Sequence, residues 1–303
     1  MFAHVKWFNS ETLQQVPTLS STEIAWGILL FLGGLAILML ADKFLEPHLK
    51  LPFKAKTLIK DKKYIPAIVR ISAGLLLTIN VLSGSLYAPN VSNSWEGADA
   101  VIGAAMLVIG IMLLLGVYVR VIGIAMVALF FASMWAISPV IDVLDHAEYI
   151  GIGLYLAYAG GGPFCLLPAS VIDVKRKYID LAPRILMFFV GLDLVILGFS
   201  EKLANMPAAL DFLNQHDWNF LSGVGLSNRY FVIFVAIVEL MIGLTLILNK
   251  SSRAGSLLLL LTMISTAALL GVEEIYGHLF AVGIVAIVWL LPIHDNKYNL
   301  SRL

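Results

Sequence analysis

Nine apolar runs, at roughly 24–41, 68–87, 98–116, 119–137, 147–163, 183–199, 230–249, 253–271 and 277–292, take up most of this 303-residue chain. A helix rises ~1.5 Å per residue and the hydrocarbon core of a bilayer is ~30 Å thick, so runs near 17–20 residues read as spans. With 60% hydrophobic residues and a mean hydropathy of +0.91, a water-soluble globule is excluded. The sequence predicts an all-α polytopic membrane protein with nine transmembrane helices.

The basic residues then orient the chain. Of the twenty Lys and Arg residues, all but Lys6, Lys202 and Arg229 fall in alternate loops or at the span ends beside them. Lys43, Lys50, Lys54, Lys56, Lys60, Lys62, Lys63 and Arg70 crowd the first long loop and the start of the second span. Arg120, the group Lys175, Arg176, Lys177 and Arg184, the pair Lys250 and Arg253, and finally Lys297 and Arg302 follow on the same side. Excess Lys and Arg marks the cytoplasmic side, which predicts an outside amino terminus and a cytoplasmic carboxyl terminus in a bacterial or archaeal cytoplasmic membrane. The 43–63 loop, next to a span, is expected to meet anionic headgroups or enforce topology, and no nucleic-acid partner is expected.

Cys165 is the single cysteine, so neither an intramolecular disulfide nor a CxxC redox pair exists. The first 22 residues lack the basic start and small-residue cleavage site of a removable leader and are expected to persist as an outside arm. Ser20, with Glu23 three positions on, reads as a capping box opening the first span.

The chain also reads as duplicated. Arg70 and Gly84 recur as Arg184 and Gly198, Gly110 and Arg120 as Gly243 and Arg253, and Asp142, His146 and Gly151 as Glu274, His278 and Gly283. Each copy has four spans, an even number, so both share one orientation, which implies a pseudo-two-fold axis along the membrane normal. The expected organisation is an outside arm (1–23), a leading helix with its basic loop (24–67), a first four-helix repeat (68–167), a second (183–292) and a cytoplasmic tail (293–303).

The second copy carries RILMFFVGLDLVILGFSEKL (184–203) and VELMIGLTLILNKSSRAG (238–255). These segments, with Arg, then Gly and Lys, then an intramembrane Glu, Gly and a basic turn, resemble the DoxX/DoxD family of four-span membrane proteins. The chain looks like two such units fused, although GSLYAP (84–89) in the first copy lacks the Gly-x-x-x-Lys ending. The resemblance implies association with membrane redox chemistry, with a quinone or a redox partner supplying the centre that the chain lacks.

Several ionisable groups stand out as candidate site residues. Asp193 and Glu239 sit near mid-depth of their spans, where a carboxylate costs ~2.5–3.5 kcal/mol to insert, so each is expected to face the bundle interior. Either they relay protons or face a quinone, or they hydrogen-bond between helices. The first copy has Ile79, Met106 and Ala88 where the second has Asp193, Glu239 and Lys202, so a buried site is expected in the second bundle. Glu201 and Lys202, at the outer end of the sixth span, read as an ion pair or as contacts for an anionic substrate such as thiosulfate. Asp142 with His146, and Glu274 with His278, have the i,i+4 spacing that places an acid beside an imidazole on one helix face. They read as helix caps, acid–base groups or, if all four converge, metal ligands. His216, Asp217 and Trp218 lie in a long connection, 204–229, read as a lid or a solvated loop, and most of the Trp residues read as interfacial anchors. No Walker loop, Rossmann fingerprint, HExxH motif or mid-span His pair for haem is present.

The expected function is therefore a DoxX-like membrane subunit with no intrinsic cofactor, linking an outer-side donor such as thiosulfate to quinone. Beyond the lipid bilayer, its expected partners are an extracytoplasmic redox protein or other subunits of a membrane complex. A proton-coupled solute carrier and a non-catalytic scaffold for extracytoplasmic partners are the alternatives.

Overall fold

The computed structural model describes residues 19–48, 64–88, 91–137, 140–167, 172–250, 252–270 and 283–284. These residues are helical, with no strand among them beyond two isolated bridges. In order the helices are α1 (Ser21–His48), α2 (Ile65–Leu82), α3 (Gly97–Leu115), α4 (Val119–Ala136), α5 (Glu148–Ala159), α6 (Arg176–Leu197), α7 (Met206–His216), α8 (Asn228–Ile247) and α9 (Ser252–Leu270). Six helices among the described residues are long and apolar enough to cross a membrane: α1 to α4, α6 with its extension, and α8. The chain is an integral membrane protein.

The expected count of nine spans is met only in part. The run at 147–163 forms α5, a helix of 12 residues. Its start is pushed back by the turns at 145–147, and Gly160, with φ +81°, ends it. In α9 the apolar helical stretch covers Arg253–Thr266. The run at 277–292 lies outside the described residues apart from Gly283 and Ile284.

Large apolar side chains lie on the outer surface, with Trp135 93% exposed and Leu29 71%. In water such a surface would aggregate; in a bilayer it is the face turned to acyl chains. Lipid tails are as apolar as leucine, so helix association depends on close backbone approach. Three crossings supply it. α2 meets α3 where Gly74 faces Gly110, α4 meets α5 where Gly123 faces Gly153, and α6 meets α8 where Gly191 faces Gly243. A Cβ on Gly191 would lie 2.5 Å from the Gly243 carbonyl oxygen, and one on Gly243 equally close to that of Gly191, so neither position has room for a side chain. Gly151 on α5 packs against Leu186 and Phe189 of α6, and Gly283 packs against Val69 of α2. Within the glycine-bearing stretch 151–162, Gly151 and Gly153 serve helix packing, whereas Gly160 and Gly162 lie beyond the helix at positive φ.

One core runs from α2 through α6 into α8, including Leu77, Met106, Phe130, Tyr149, Leu186 and Ile242. A second joins α1, α7 and α8 around Phe212, Trp218 and Phe231. The connection 204–229, read as a lid or solvated loop, instead contains α7, and Trp218 is buried edge-on against Phe212 and Phe231. An indole in the middle of an aromatic cluster is not an interfacial anchor.

The capping box is present. The Ser20 backbone N–H and hydroxyl both donate to Glu23 Oε2, at 2.8 and 2.9 Å, and the Glu23 N–H donates back to Ser20 Oγ. The same carboxylate takes a bidentate pair from Arg229 on α8, which ties the first turn of α1 to the first turn of α8. Toward the other end of α1, Asp42 accepts the backbone N–H of Ala254 in the first turn of α9.

Arg70, read as one of the charges marking the cytoplasmic face, is 1% exposed. Its guanidinium donates to the carbonyls of Leu113, Leu114, Gly161 and Phe164. The last carbonyls of a helix have no partner within it, and here a side chain from the neighbouring helix satisfies those of α3.

Candidate functional site

The seam where α6 packs against α5 and α8 gathers most of the buried ionisable groups among the described residues. α5 is preceded by a single helical turn, Ile141–Leu144, and then by a turn through 145–147. This break overturns the reading of Asp142 and His146 as an i,i+4 pair, because no continuous helix carries both. The turn swings Asp145, His146 and Glu148 inward, and all three are buried. His146 Nδ1 lies 3.6 Å from Glu148 Oε1.

Aromatic rings hold the imidazole. Tyr87 stacks on His146 with centroids 6.4 Å apart, and Tyr149 meets it edge-on at 6.4 Å. Those rings are fixed in turn. Tyr149 donates its hydroxyl to the Tyr87 carbonyl at 2.7 Å, Asn80 donates to the same carbonyl, and the Tyr87 hydroxyl lies 2.6 Å from Ser133 Oγ. Burial pushes the Tyr87 phenol up from its ordinary value, so it stays a neutral hydroxyl.

From α6, Asp193 reaches the same place. It is 3% exposed, and its carboxyl lies beside that of Glu148. One ligand-type atom from each of His146, Glu148 and Asp193 falls within 4.8 Å of the others. The charges that act most strongly on Asp193 are those of the acids Glu148, Asp145 and Glu239. Two carboxyl groups in such contact need a proton or a cation between them.

Beyond α6 the helix continues as a π-helical segment, Gly198–Ala204. Such wider turns are rare and concentrate at functional sites because they re-aim side chains. Here Ser200 Oγ donates to Asp145 Oδ1 at 3.3 Å. Lys202, 4% exposed, points to α8 and pairs with Glu239 Oε2 at 2.9 Å. Gly198 lies against the Glu239 Cβ and the Ala236 carbonyl, and the lack of a side chain there lets the π segment reach α8. Lys202 thus reaches across to α8, a pairing that the sequence did not suggest, and Glu201 is half-buried on the π segment.

Asp193, Glu239 and Lys202 therefore lie along one seam, but the seam is not confined to the second half of the chain. Asp145, His146 and Glu148 come from the first. Glu274 and His278 lie outside the described residues, as does the Asp142 side chain. Sequence reasoning passed over Asp145, Glu148, Tyr87, Tyr149 and Ser200. The signal available was the density of DHAEY (145–149), three ionisable groups and a tyrosine where an apolar run begins.

Comparison of the chain with family models, with curated proteins and with solved structures finds no match.

Proposed function

We propose that the chain is a DoxX-like membrane subunit that links an outer-side electron donor to quinone, with the Lys202–Glu239 pair exchanging the protons. The observation carrying this reading is that the two segments on which the resemblance rests meet in space. Gly191 packs on Gly243, Gly198 on Glu239, and Lys202 pairs with Glu239. An ion pair withdrawn into an apolar bundle costs desolvation that a hydrophobic pair avoids, so a functional demand is the economical explanation for it. Reduction of a quinone to quinol takes two electrons and two protons. A partner redox protein supplies the electrons, and the Lys–Glu pair passes protons to the quinone oxygens.

The test is protein purified in mild detergent and assayed for bound quinone and for donor-dependent quinone reduction with its partner. Glu239→Gln is expected to insert and fold with a lowered melting temperature, because Lys202 loses its charged partner, and to lose reduction by at least ~100-fold, the lower end of the ~10²–10⁴-fold that general acid–base catalysis typically contributes. Full reduction in that variant sinks the proton role. A wild-type preparation that neither retains nor reduces quinone sinks the redox reading.

A second reading, a proton-coupled carrier, is favoured by the place of the acidic cluster between the two halves of the chain, where carriers built from repeats bind ions. Proton-linked solute uptake into liposomes, with no quinone activity, would select it.

The duplicated nine-span architecture belongs to this proposal. Gly74 and Gly191 are 117 positions apart, and their partners Gly110 and Gly243 are 133 apart. The contact of Gly151 with Leu186 has a counterpart in Gly283 with Val69, at offsets of 132 and 117. Reciprocal contacts of this kind are what a two-fold axis generates. The 117 offset moves the first-helix correspondence three residues on from the 114 of the two arginines. It sets Leu76 and Ser85 opposite Asp193 and Lys202, so the polar groups still belong to one copy.

The amino terminus is assigned to the outside on the charge pattern. With Cys165 replaced by Ala, a Leu58→Cys variant in intact cells is expected to resist an impermeant thiol reagent. Efficient labelling there would reverse the orientation.

A further inference from the structure

We infer that His146, Glu148 and Asp193 bind a single divalent transition-metal ion of the zinc, manganese or iron class. Three independent features converge on it. The first is geometry: a nitrogen and two carboxylate oxygens, from α6 and from the turn and start of α5, lie within 4.8 Å of one another. Metal bonds of ~2.0–2.2 Å place donors ~3–4 Å apart, so rotation of these side chains by roughly 1 Å closes the shell.

The second is unmet hydrogen bonding. Glu148 Oε2 and Asp193 Oδ1 have no hydrogen-bond partner, although their residues are only 4% and 3% exposed. A buried carboxylate oxygen without a partner is costly, and a cation is the partner that satisfies both at once. The third is charge. The acids facing Asp193 are Glu148, Asp145 and Glu239, and Lys202 is engaged with Glu239. Two carboxylate ligands match the charge of a divalent ion, and Asp145 beside them keeps the surroundings negative, so the cluster favours a cation over an anion.

The ligand set also selects among ions. Imidazole favours Zn and Fe, and the two carboxylates also admit Mn; calcium takes six to eight oxygens, and magnesium keeps most of its waters. Tyr87 and Tyr149 clamp the imidazole plane from two sides, the orientation that metal-bound histidines ordinarily receive from an outer shell. Three protein ligands leave a coordination position open for water or substrate, as in catalytic rather than structural sites. The site does not depend on quinone being the partner, because Glu239 and Lys202 are not ligands.

The experiment uses the full chain, purified in detergent without a polyhistidine tag, stripped with chelator and reloaded with Zn²⁺, Mn²⁺ or Co²⁺. Metal is counted by mass spectrometry, the Co²⁺ form is read by visible absorption, and melting temperature is followed with and without ion. Wild type is expected to hold a single ion and to melt higher with it. His146→Ala, Glu148→Gln and Asp193→Asn are each expected to weaken binding by more than ~100-fold, beyond the ~10–100-fold lost with an outer-shell partner. Glu239→Gln, which removes no ligand, should still hold a single ion, and this separates failure of the metal site from failure of the quinone reading. If Asp193→Asn does not fold, Glu148→Gln carries the same expectation from α5, and His146→Cys, which restores a ligand, should recover part of the binding. A monodisperse wild type that holds no ion, or an ion retained equally by all three variants, overturns the assignment.

Discussion

Replacing Lys202 with methionine is expected to destabilise the protein by about 3–5 kcal/mol, the usual cost of leaving one member of a buried ion pair without its partner. The side chains of Lys202 and Glu239 are 5% and 22% exposed, so Glu239 would keep only limited access to solvent. Pairing Lys202→Met with Glu239→Leu should recover most of that loss, since an apolar pair of similar volume avoids the desolvation penalty altogether. Thermal melts of the two single variants and the double variant in one detergent close the cycle. A double variant no more stable than Lys202→Met would mean that the lysine acts through something other than Glu239. A double variant that is stable but inactive would separate the fold from the chemistry at this pair.

The second large effect is expected at Arg70. Arg70→Met keeps the aliphatic stem but deprives four carbonyls, of Leu113, Leu114, Gly161 and Phe164, of a common donor. A buried polar group left unsatisfied costs ~1–3 kcal/mol; with the Leu113 bond buried and the other three part-buried, a loss of about 2–4 kcal/mol is expected, read as a lower melting temperature in detergent. Arg70→Lys should rescue only part of it, because an ammonium group cannot reproduce the planar fork that reaches α3 and the 161–164 segment together. A melting temperature unchanged in Arg70→Met would show that water replaces the guanidinium at no cost and that the residue serves topology alone.

Arg70 also illustrates where the sequence could be read and where it could not. Hydropathy identifies spans because a bilayer leaves the backbone few choices, and six long helices fall where the apolar runs predict them. The capping box at Ser20 and Glu23 was legible because its parts are three residues apart. A count of charges, however, says which side a residue is on and nothing about what it touches. Arg70 and Arg184 look alike in sequence, yet Arg70 is enclosed and Arg184 is half-buried. Spacing misled at Asp142 and His146 because the i,i+4 rule assumes an unbroken helix, and residues 145–147 form a turn. The partner of Lys202 was hidden for a different reason. A π-helical segment changes the angle per residue, so α-helical periodicity points the lysine the wrong way. Glu148 was passed over because an acid at a helix start is ordinarily a cap; only the arrival of Asp193 from α6 makes it part of a site.

The anchoring of α1 bears on the order in which the protein is made. Its helix is stapled to α8 through Glu23 and Arg229, which are 206 residues apart in the chain, and to α9 through Asp42 and Ala254. Packing adds to this through Gly27 and Gly34, which lie against Ile233, Ile237 and Met241 of α8. At a synthesis rate of ~5–20 residues per second, α1 waits ~10–40 s in the bilayer before α8 exists to receive it. Among the described residues, the helices that α1 packs against most, α8 and α9, do not yet exist in that interval. The segment that enters the membrane among the earliest is thus among the last to find its place. Docking of α1 therefore waits on the second half of the chain, whose α8 and α9 carry the partners of Glu23 and Asp42.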